Sequence, residues 1–238
     1  MMKTLFFETI DSTNTFLKEH YSEYEDMTFV SAGVQTAGRG RNGREWKASE
    51  GKDLTFSLLI KDEEVMEQYK ILSVLSAYSV LKVLESCGVK DLAIKWPNDV
   101  YAGGRKICGI LLEGISGEKM ECLIIGIGIN VNEDSFEGEY LHTPTSMKLQ
   151  LDRQIDLDGF RDRIYRELID RIDGLKKGTD LYPLIRDYDY LRGKTVFAEV
   201  RGIRKEVSVL GIDENGSLEI ECEGEILHLT SSEVTFHL

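Results

Sequence analysis

The sequence has no C-x-x-C pair, no histidines at metal-ligand spacing, no apolar run long enough to span a membrane and no excess of positive charge. Each absence removes a class of function. The four cysteines, Cys87, Cys108, Cys122 and Cys222, are widely spaced in apolar surroundings, which predicts buried reduced thiols in a cytoplasmic protein rather than disulfides or a zinc site. His20, His142, His228 and His237 have neither ligand spacing nor a paired nucleophile, which argues against a zinc centre or a hydrolase triad. The N-terminal MMKTLFFETIDSTN carries polar and acidic residues too early for a signal peptide. With 29 basic and 42 acidic side chains the formal net charge is -13, so DNA and anionic membranes repel the chain at long range. Any anion it binds must be held by a local cluster. There is no internal repeat and no low-complexity segment.

The chain of 238 residues, 42% hydrophobic and 30% charged, has the composition of an ordinary globular protein. Thr4 to Glu8 reads as a short strand. Asp11-Ser12-Thr13-Asn14 reads by local pattern as a helix cap, with helix following to about His20. Thr28 to Val34 and Asp53 to Ile60 read as strands, and Met66 to Cys87 as one buried helix stopped by Gly88. From Leu92 the chain is strand-rich: LAIKW, a PND turn, a Gly103-Gly104 turn into KICGILLEGI, and a Gly117-Glu118 turn into Met120 to Val131. Leu157 to Leu175 places Phe160, Ile164, Leu168 and Ile172 at four-residue steps, the mark of a packing helix. Helix is expected again over about Asp180 to Leu191, with Pro183 near its start. From Arg192 the short alternating runs TVFAEV, EVSVLGI, SLEIE and EILHL, separated by DENG and EGE turns, predict a small antiparallel barrel.

The stretch Gln35 to Trp46, QTAGRGRNGREW, concentrates what the composition lacks: three arginines among three glycines. Gly38, Gly40 and Gly43 permit positive φ angles and close backbone approach. Arg39, Arg41 and Arg44 supply planar donor forks for carboxylate or phosphate oxygens. The stretch therefore reads as an anion-binding loop. It matches G-x-G-x-x-G, but the dinucleotide fingerprint needs a helix straight after the glycines, and REWKASEGKD has no helical period. LAIK at Leu92 to Lys95 imitates the lysine strand of protein kinases, yet no H-R-D, D-F-G or Walker A lysine motif is present.

A second basic cluster lies in KWPND and RKICGILLE. Lys95 and Lys106 flank a predicted hairpin and can approach each other. Asn98 and Asp99 between them can orient ammonium groups or share a magnesium ion. Each lysine alone reads as a solvated strand residue, and Trp46 alone as a core residue; as a stacking face, Trp46 suits a purine. Together these features point to a nucleotide and a second, carboxylate-bearing substrate.

DSTN, GRGRNGREW, KWPNDVY with RKICGILLE, and GIGINVN, in that order over roughly residues 8 to 132, resemble the biotin protein ligase family. The stretch from Gly193 to the closing TSSEVTFHL resembles that family's small SH3-like domain more loosely, with Ser232 where glycine is common. The resemblance implies an α+β fold: a mixed-sheet biotin/lipoate ligase-like catalytic domain over residues 1–191 and a C-terminal SH3-like β-barrel over 192–238. It also implies the monofunctional type, without a DNA-binding domain ahead of the catalytic blocks.

The implied reaction joins biotin and MgATP to give biotinyl-5′-AMP, which a lysine of a biotin carboxyl carrier domain then attacks. By the same resemblance, Arg39, Arg41 and Lys106 cancel charge between carboxylate and α-phosphate, and Lys106 takes the biotin carboxyl. Lys95 and Asp99, with Asn98, serve the phosphate and Mg2+ side or position Lys106. Ser12, Thr13, Asn14 and Gln35 are the polar partners of the ureido ring, and the strands around Gly109 and Leu111 form its wall. Asn130 offers an amide edge to adenine. Gly126 and Gly128 keep that strand flat against the ligand, Ile129 beside them is a further cofactor-binding residue, and Trp46 covers the base. The arginine loop is expected to be a mobile lid. A homodimer built on a sheet edge is compatible with the resemblance. Two rivals are a lipoate ligase, whose R-R-x-S-G-G-G signature is absent, and a non-enzymatic biotin sensor, against which Arg41 and Lys106 argue.

Overall fold

Strand β3 (Leu54–Ile60, LTFSLLI) is buried along its whole length, as a strand covered on both faces must be. It is an interior strand of the chain's larger sheet. The computed structural model describes residues 3–200, 202–230 and 234–237. Ser232 lies outside the described residues.

In chain order the first part comprises β1 (Lys3–Ile10), α1 (Thr13–His20), β2 (Thr28–Gln35), β3, α2 (Glu63–Glu67), α3 (Tyr69–Ser86), β4 (Leu92–Lys95), β5 (Asp99–Ala102), β6 (Arg105–Ser116) and β7 (Met120–Ile129). Then come α4 (Met147–Leu151), α5 (Leu157–Lys176) and α6 (Tyr182–Arg186). The seven-stranded sheet has the order β1-β2-β3-β7-β6-β5-β4. It is mixed: β1 and β2 run parallel, and every other pair is antiparallel.

The alternation in β3 distributes its residues between two cores. Leu54, Phe56, Leu58 and Ile60 join the large core with α3 and α5, whereas Leu59 joins Leu17 of α1 and Val30 in a smaller one. Thr55 and Ser57 share the face of Leu59 by the period of two. On α5 the four-step residues Phe160, Ile164, Leu168 and Ile172 are all buried, and Tyr165 stacks on Phe29 at 3.9 Å between ring centroids. Among the described residues no helix is long and apolar enough to cross a membrane.

Two expectations about helices need correction. The helix expected from Met66 is broken at Gln68, whose φ of -93° and ψ of 21° leave the helical region and separate α2 from α3. The helix expected to reach Leu191 ends at Arg186, because the chain beyond it pairs with a strand instead: Ile94 N–H donates to Tyr188 O and Tyr190 N–H to Ile94 O.

The C-terminal strands are β8 (Thr195–Val200), β9 (Ile203–Ile212), β10 (Leu218–Cys222), β11 (Glu225–Leu229) and β12 (Val234–His237). They form an antiparallel sheet of order β11-β10-β9-β8-β12. The expected SH3-like β-barrel is therefore overturned: the described strands form an open sheet with β11 and β12 at opposite edges. Alternation along each strand reveals a buried face but not whether the last strand meets the first. The sheet docks beside the KWPND turn, where Trp96 Nε1 donates to Gly216 O at 3.0 Å. Gly216 has a φ of +81°, and a Cβ there would lie 2.8 Å from the Ile71 Cα, so contact with α3 leaves no room for a side chain.

Candidate functional site

The glycine stretch folds as a small hairpin. Gly40 N–H donates to Arg44 O at 2.8 Å and Trp46 N–H to Gly38 O at 3.0 Å, with a tight turn over Arg41–Gly43 between them. Of its three glycines only Gly43 has a positive φ, shared with Asn42 at φ 56°. Gly38 serves close approach instead, since a Cβ there would stand 2.4 Å from Trp46 O. No helix follows Gly43, in keeping with the rejected dinucleotide reading.

The hairpin borders a cleft of about 500 Å³ that opens over the strands β6 and β7. One end is lined by hydrogen-bonding groups set in a wall from α1 and β3. Ser12 caps α1, accepting from Thr15 N–H. Gln35 Oε1 accepts from Thr13 N–H at 2.8 Å and from Thr13 Oγ1 at 3.1 Å. Ser57 Oγ lies 2.7 Å from Thr13 Oγ1 and 2.5 Å from Asn14 Oδ1. Asn14 Nδ2 donates to Glu113 at 2.9 Å, and the same carboxylate pairs with Lys18 and Arg39, each at 3.1 Å. Burial alone would raise the Glu113 pKa; Asn14, Lys18 and Arg39 outweigh it and hold it below the usual range.

The other end is basic. Asp99 on β5 faces Lys95 across the β4–β5 hairpin, and Lys106 Nζ pairs with Asp99 Oδ1 at 2.7 Å. Lys106 is fixed from its backbone as well, its N–H donating to Thr143 O at 2.9 Å and its carbonyl accepting from Thr145 N–H at 2.8 Å. Arg41 reaches over from the hairpin and donates to Asn98 Oδ1 at 3.2 Å. Asn98 is itself held by donation to Ile110 O at 2.7 Å. Burial, with Arg44 adding and Asp99 opposing, places the Arg41 pKa below its ordinary value. Lys95 is buried, and that burial, with Lys106 and Lys194 adding and Asp99 opposing, brings its ammonium down to about 8. It donates to a ring nitrogen of His142 at 3.3 Å. Burial and the neighbouring Lys95 lower His142 to about 4, so it is a neutral acceptor near pH 7.

Between the two ends lie the glycines of β6 and β7. A Cβ on Gly126 would meet Asn14 Oδ1 at 2.3 Å, and one on Gly128 would meet the Trp46 indole at 2.3 Å. At Gly109 the neighbours are Trp46 at 2.9 Å and Lys106 Nζ at 3.1 Å. The protein's own Asn14 and Trp46 thus lie against these strands, which were expected to be bare for a ligand. Gly128→Ala should displace the indole. Overpacking of this kind costs roughly 1–3 kcal/mol, so a shift in tryptophan emission with a lower thermal midpoint is expected. An unchanged spectrum and midpoint would refute the contact.

Most of the residues expected at the site line this cleft, from Ser12, Thr13, Asn14 and Gln35 to Lys95, Asn98, Asp99, Lys106, Gly109, Leu111 and Asn130. Gly38, Gly43 and Ile129 do not; Ile129 belongs to the large core. Arg39 faces Glu113 rather than Lys106, so the arginines serve different ends. Asn130 commits its Nδ2 to Thr145 O at 3.0 Å. Sequence reasoning missed Ser57, Glu113 and the segment carrying Phe136, Tyr140 and His142, which forms one bank of the cleft. The exposed aromatic and aliphatic residues in that acidic segment, Tyr140 and Leu141, were its available signal. Among the described residues no group of three or more His, Cys, Asp and Glu side chains is placed to hold a metal ion.

The profile of the Biotin/lipoate A/B protein ligase family matches residues 6–130. The chain is 32% identical over 212 residues to the bifunctional ligase/repressor BirA of Bacillus spizizenii, covering 87% of this chain and 65% of that protein. It therefore spans about two thirds of that relative's length. Against the BirA of Salmonella typhimurium it is 30% identical over 237 residues, covering 95% of this chain and 72% of the relative. Among solved structures, the biotin protein ligase from Aquifex aeolicus in complex with biotin and ATP superposes with a TM-score of 0.85 at 27% identity, over 100% of this chain and 99% of that one.

Proposed function

This chain belongs to the biotin/lipoate A/B protein ligase family, and from that premise we propose that it activates biotin with ATP and transfers it to a lysine of a biotin carboxyl carrier domain. The observation that carries the reading is the polarity of the cleft. Its Ser12–Thr13–Gln35 end suits a ureido ring, and its Lys106–Asp99–Arg41 end suits two anions that must be brought together. In the first step a biotin carboxylate oxygen attacks the α-phosphorus and the bond to pyrophosphate breaks. Lys106 and Arg41 hold the facing charges in line. In the second the neutral amine of the carrier lysine attacks the acyl carbonyl, AMP leaves, and the amine loses its proton.

Asn130, with its Nδ2 given to Thr145, has its carbonyl oxygen to offer an adenine amino group. Trp46 stands beside that position with its indole Nε1 buried and without a partner among the described residues. Magnesium enters as part of MgATP. Asp99 is already paired with Lys106, so the donor set fits an ion carried on phosphates better than a resident one. Residues 192–238 are assigned to a second domain, and the four unpaired cysteines fit a cytoplasmic setting. The net charge of -13 supports a role without DNA. The exposed Phe6 on the edge strand β1 marks a place for a carrier or a second copy of the chain.

Incubation of a carrier domain with this protein, biotin and MgATP should add one biotin to one lysine, read by intact mass and peptide mapping. Transfer of lipoate in place of biotin, or no transfer with either, would refute the proposal.

A further inference from the structure

Glu113, two residues beyond Leu111, shares a face of β6 with it but does not line the cleft. Nor does Ser57, which is wholly buried against Thr13 and Asn14. Glu113 and Ser57 hold the two ends of one amide. Asn14 Nδ2 donates to Glu113 Oε2 at 2.9 Å, and Asn14 Oδ1 accepts from Ser57 Oγ at 2.5 Å. The amide is also pressed on β7, where a Cβ on Gly126 would stand 2.3 Å from Oδ1 and 3.0 Å from Nδ2. Packing fixes where the amide sits, and its near-symmetric shape leaves only which end is which.

The number of hydrogens decides that. An ionised carboxylate carries none, so it takes the amino end of Asn14 and turns the carbonyl to Ser57. A carbonyl carries none either, so the single Ser57 hydroxyl hydrogen goes to Asn14. The Thr13 hydroxyl, 2.7 Å from Ser57 Oγ and 3.1 Å from Gln35 Oε1, then has acceptors on both and gives its hydrogen to them. What Thr13 keeps for the cleft it borders is a lone pair. Glu113 is ionised near pH 7: burial favours its protonated form, but Asn14, Lys18 and Arg39 outweigh burial.

We propose that Glu113 is a positioning residue that sets the direction of the Asn14–Ser57–Thr13 chain of hydrogen bonds, so that Thr13 meets a ligand N–H with a lone pair. That the ligand is the ureido ring of biotin rests on the ligase reading above; the direction of the chain does not.

The two oxygens of Glu113 make the proposal testable by an isosteric change. Oε1 lies 3.1 Å from both Lys18 Nζ and Arg39, whereas Oε2 faces Asn14 alone. In Glu113→Gln the amide oxygen stays with the two cations, and its amino group is left facing Asn14. Two amino groups cannot bond, so Asn14 turns its carbonyl to residue 113 and its amino group to Ser57. Ser57 then gives its hydrogen to Thr13, and the lone pair that faced the ligand is used up. The KM for biotin should rise about tenfold, the scale of one unmatched hydrogen bond, while kcat and the KM for ATP stay within about threefold. Asn14→Asp combined with Glu113→Gln reverses the pair: a carboxylate at position 14 accepts from both neighbours, Ser57 donates to it again, and most of the lost affinity for biotin should return. Asn14→Asp alone sets two carboxylates against each other and should weaken biotin at least as much as Glu113→Gln.

The test is ATP–pyrophosphate exchange and calorimetric titration with free biotin for the full chain, the two single variants and the double variant. Alongside it, nuclear magnetic resonance of the substrate-free proteins follows the Asn14 side-chain amide protons. These should show cross-relaxation to the side chain of residue 113 in the parent and to that of Ser57 in Glu113→Gln. A KM for biotin within about threefold of the parent in Glu113→Gln, no recovery in the double variant, or Asn14 protons that keep their contact with residue 113 overturns the proposal. If the parent binds no biotin while the cross-relaxation pattern holds, the directional chain stands and the ligase reading fails.

Discussion

Lys106→Ala is expected to lower biotin-dependent ATP–pyrophosphate exchange by about 100- to 1,000-fold, the usual loss when one preorganised charged donor is removed from a transition state. The lysine is well placed for so large an effect. Its ammonium is held against Asp99 at 2.7 Å and its backbone is bonded on both sides to residues 143 and 145, so no reorganisation is needed when the two anions meet. The fold should tolerate the change, since Asp99 still faces Lys95 across its hairpin. An unchanged thermal midpoint with collapsed exchange is the expected pair of results, and exchange within tenfold of the parent would remove Lys106 from the chemistry.

Arg41→Gly is expected to act on the second half of the cycle. The adenylate should still form, because Lys106 remains, but it should escape. A charge-assisted hydrogen bond is worth about 1.5–3 kcal/mol, so release faster by up to about 100-fold is the expected scale, with exposed lysines on bystander proteins labelled indiscriminately. Asn98, which accepts from Arg41, stays anchored through its own bond to Ile110 O, so the site behind the arginine is not dismantled. Gel filtration of variant and parent after reaction with labelled biotin decides the matter; equal retention would refute it.

The parts of this molecule that sequence alone reveals are those where one physical pattern acts without competition. The four-residue steps of α5 imply a buried face and the apolar-rich run of β3 a buried strand, and both are found. The clustered arginines, lysines and glycines point to a cleft, and most of them do line one. What stays hidden depends on long-range pairing. Ser57 is an ordinary serine in a strand until α1 brings Thr13 and Asn14 onto it. Glu113 reads as an outward residue of β6, yet it is where Asn14, Lys18 and Arg39 converge. The division of labour between Arg39 and Arg41, two residues apart, is set by what each side chain meets across the cleft. The barrel failed for the same reason, since closure of a sheet is a relation between its first and last strands.

The hairpin over Gly38–Trp46 carries a thermodynamic consequence of its own. Ordering a loop from a random state costs about 1–2 kcal/mol of backbone entropy for every residue fixed, and a lid of that length would spend most of the binding energy of a small substrate on its own folding. Here the cross-strand bonds from Gly40 to Arg44 and from Trp46 to Gly38 are internal to the hairpin. The hairpin thus carries part of its own order, which lowers the entropy that substrate binding has to supply.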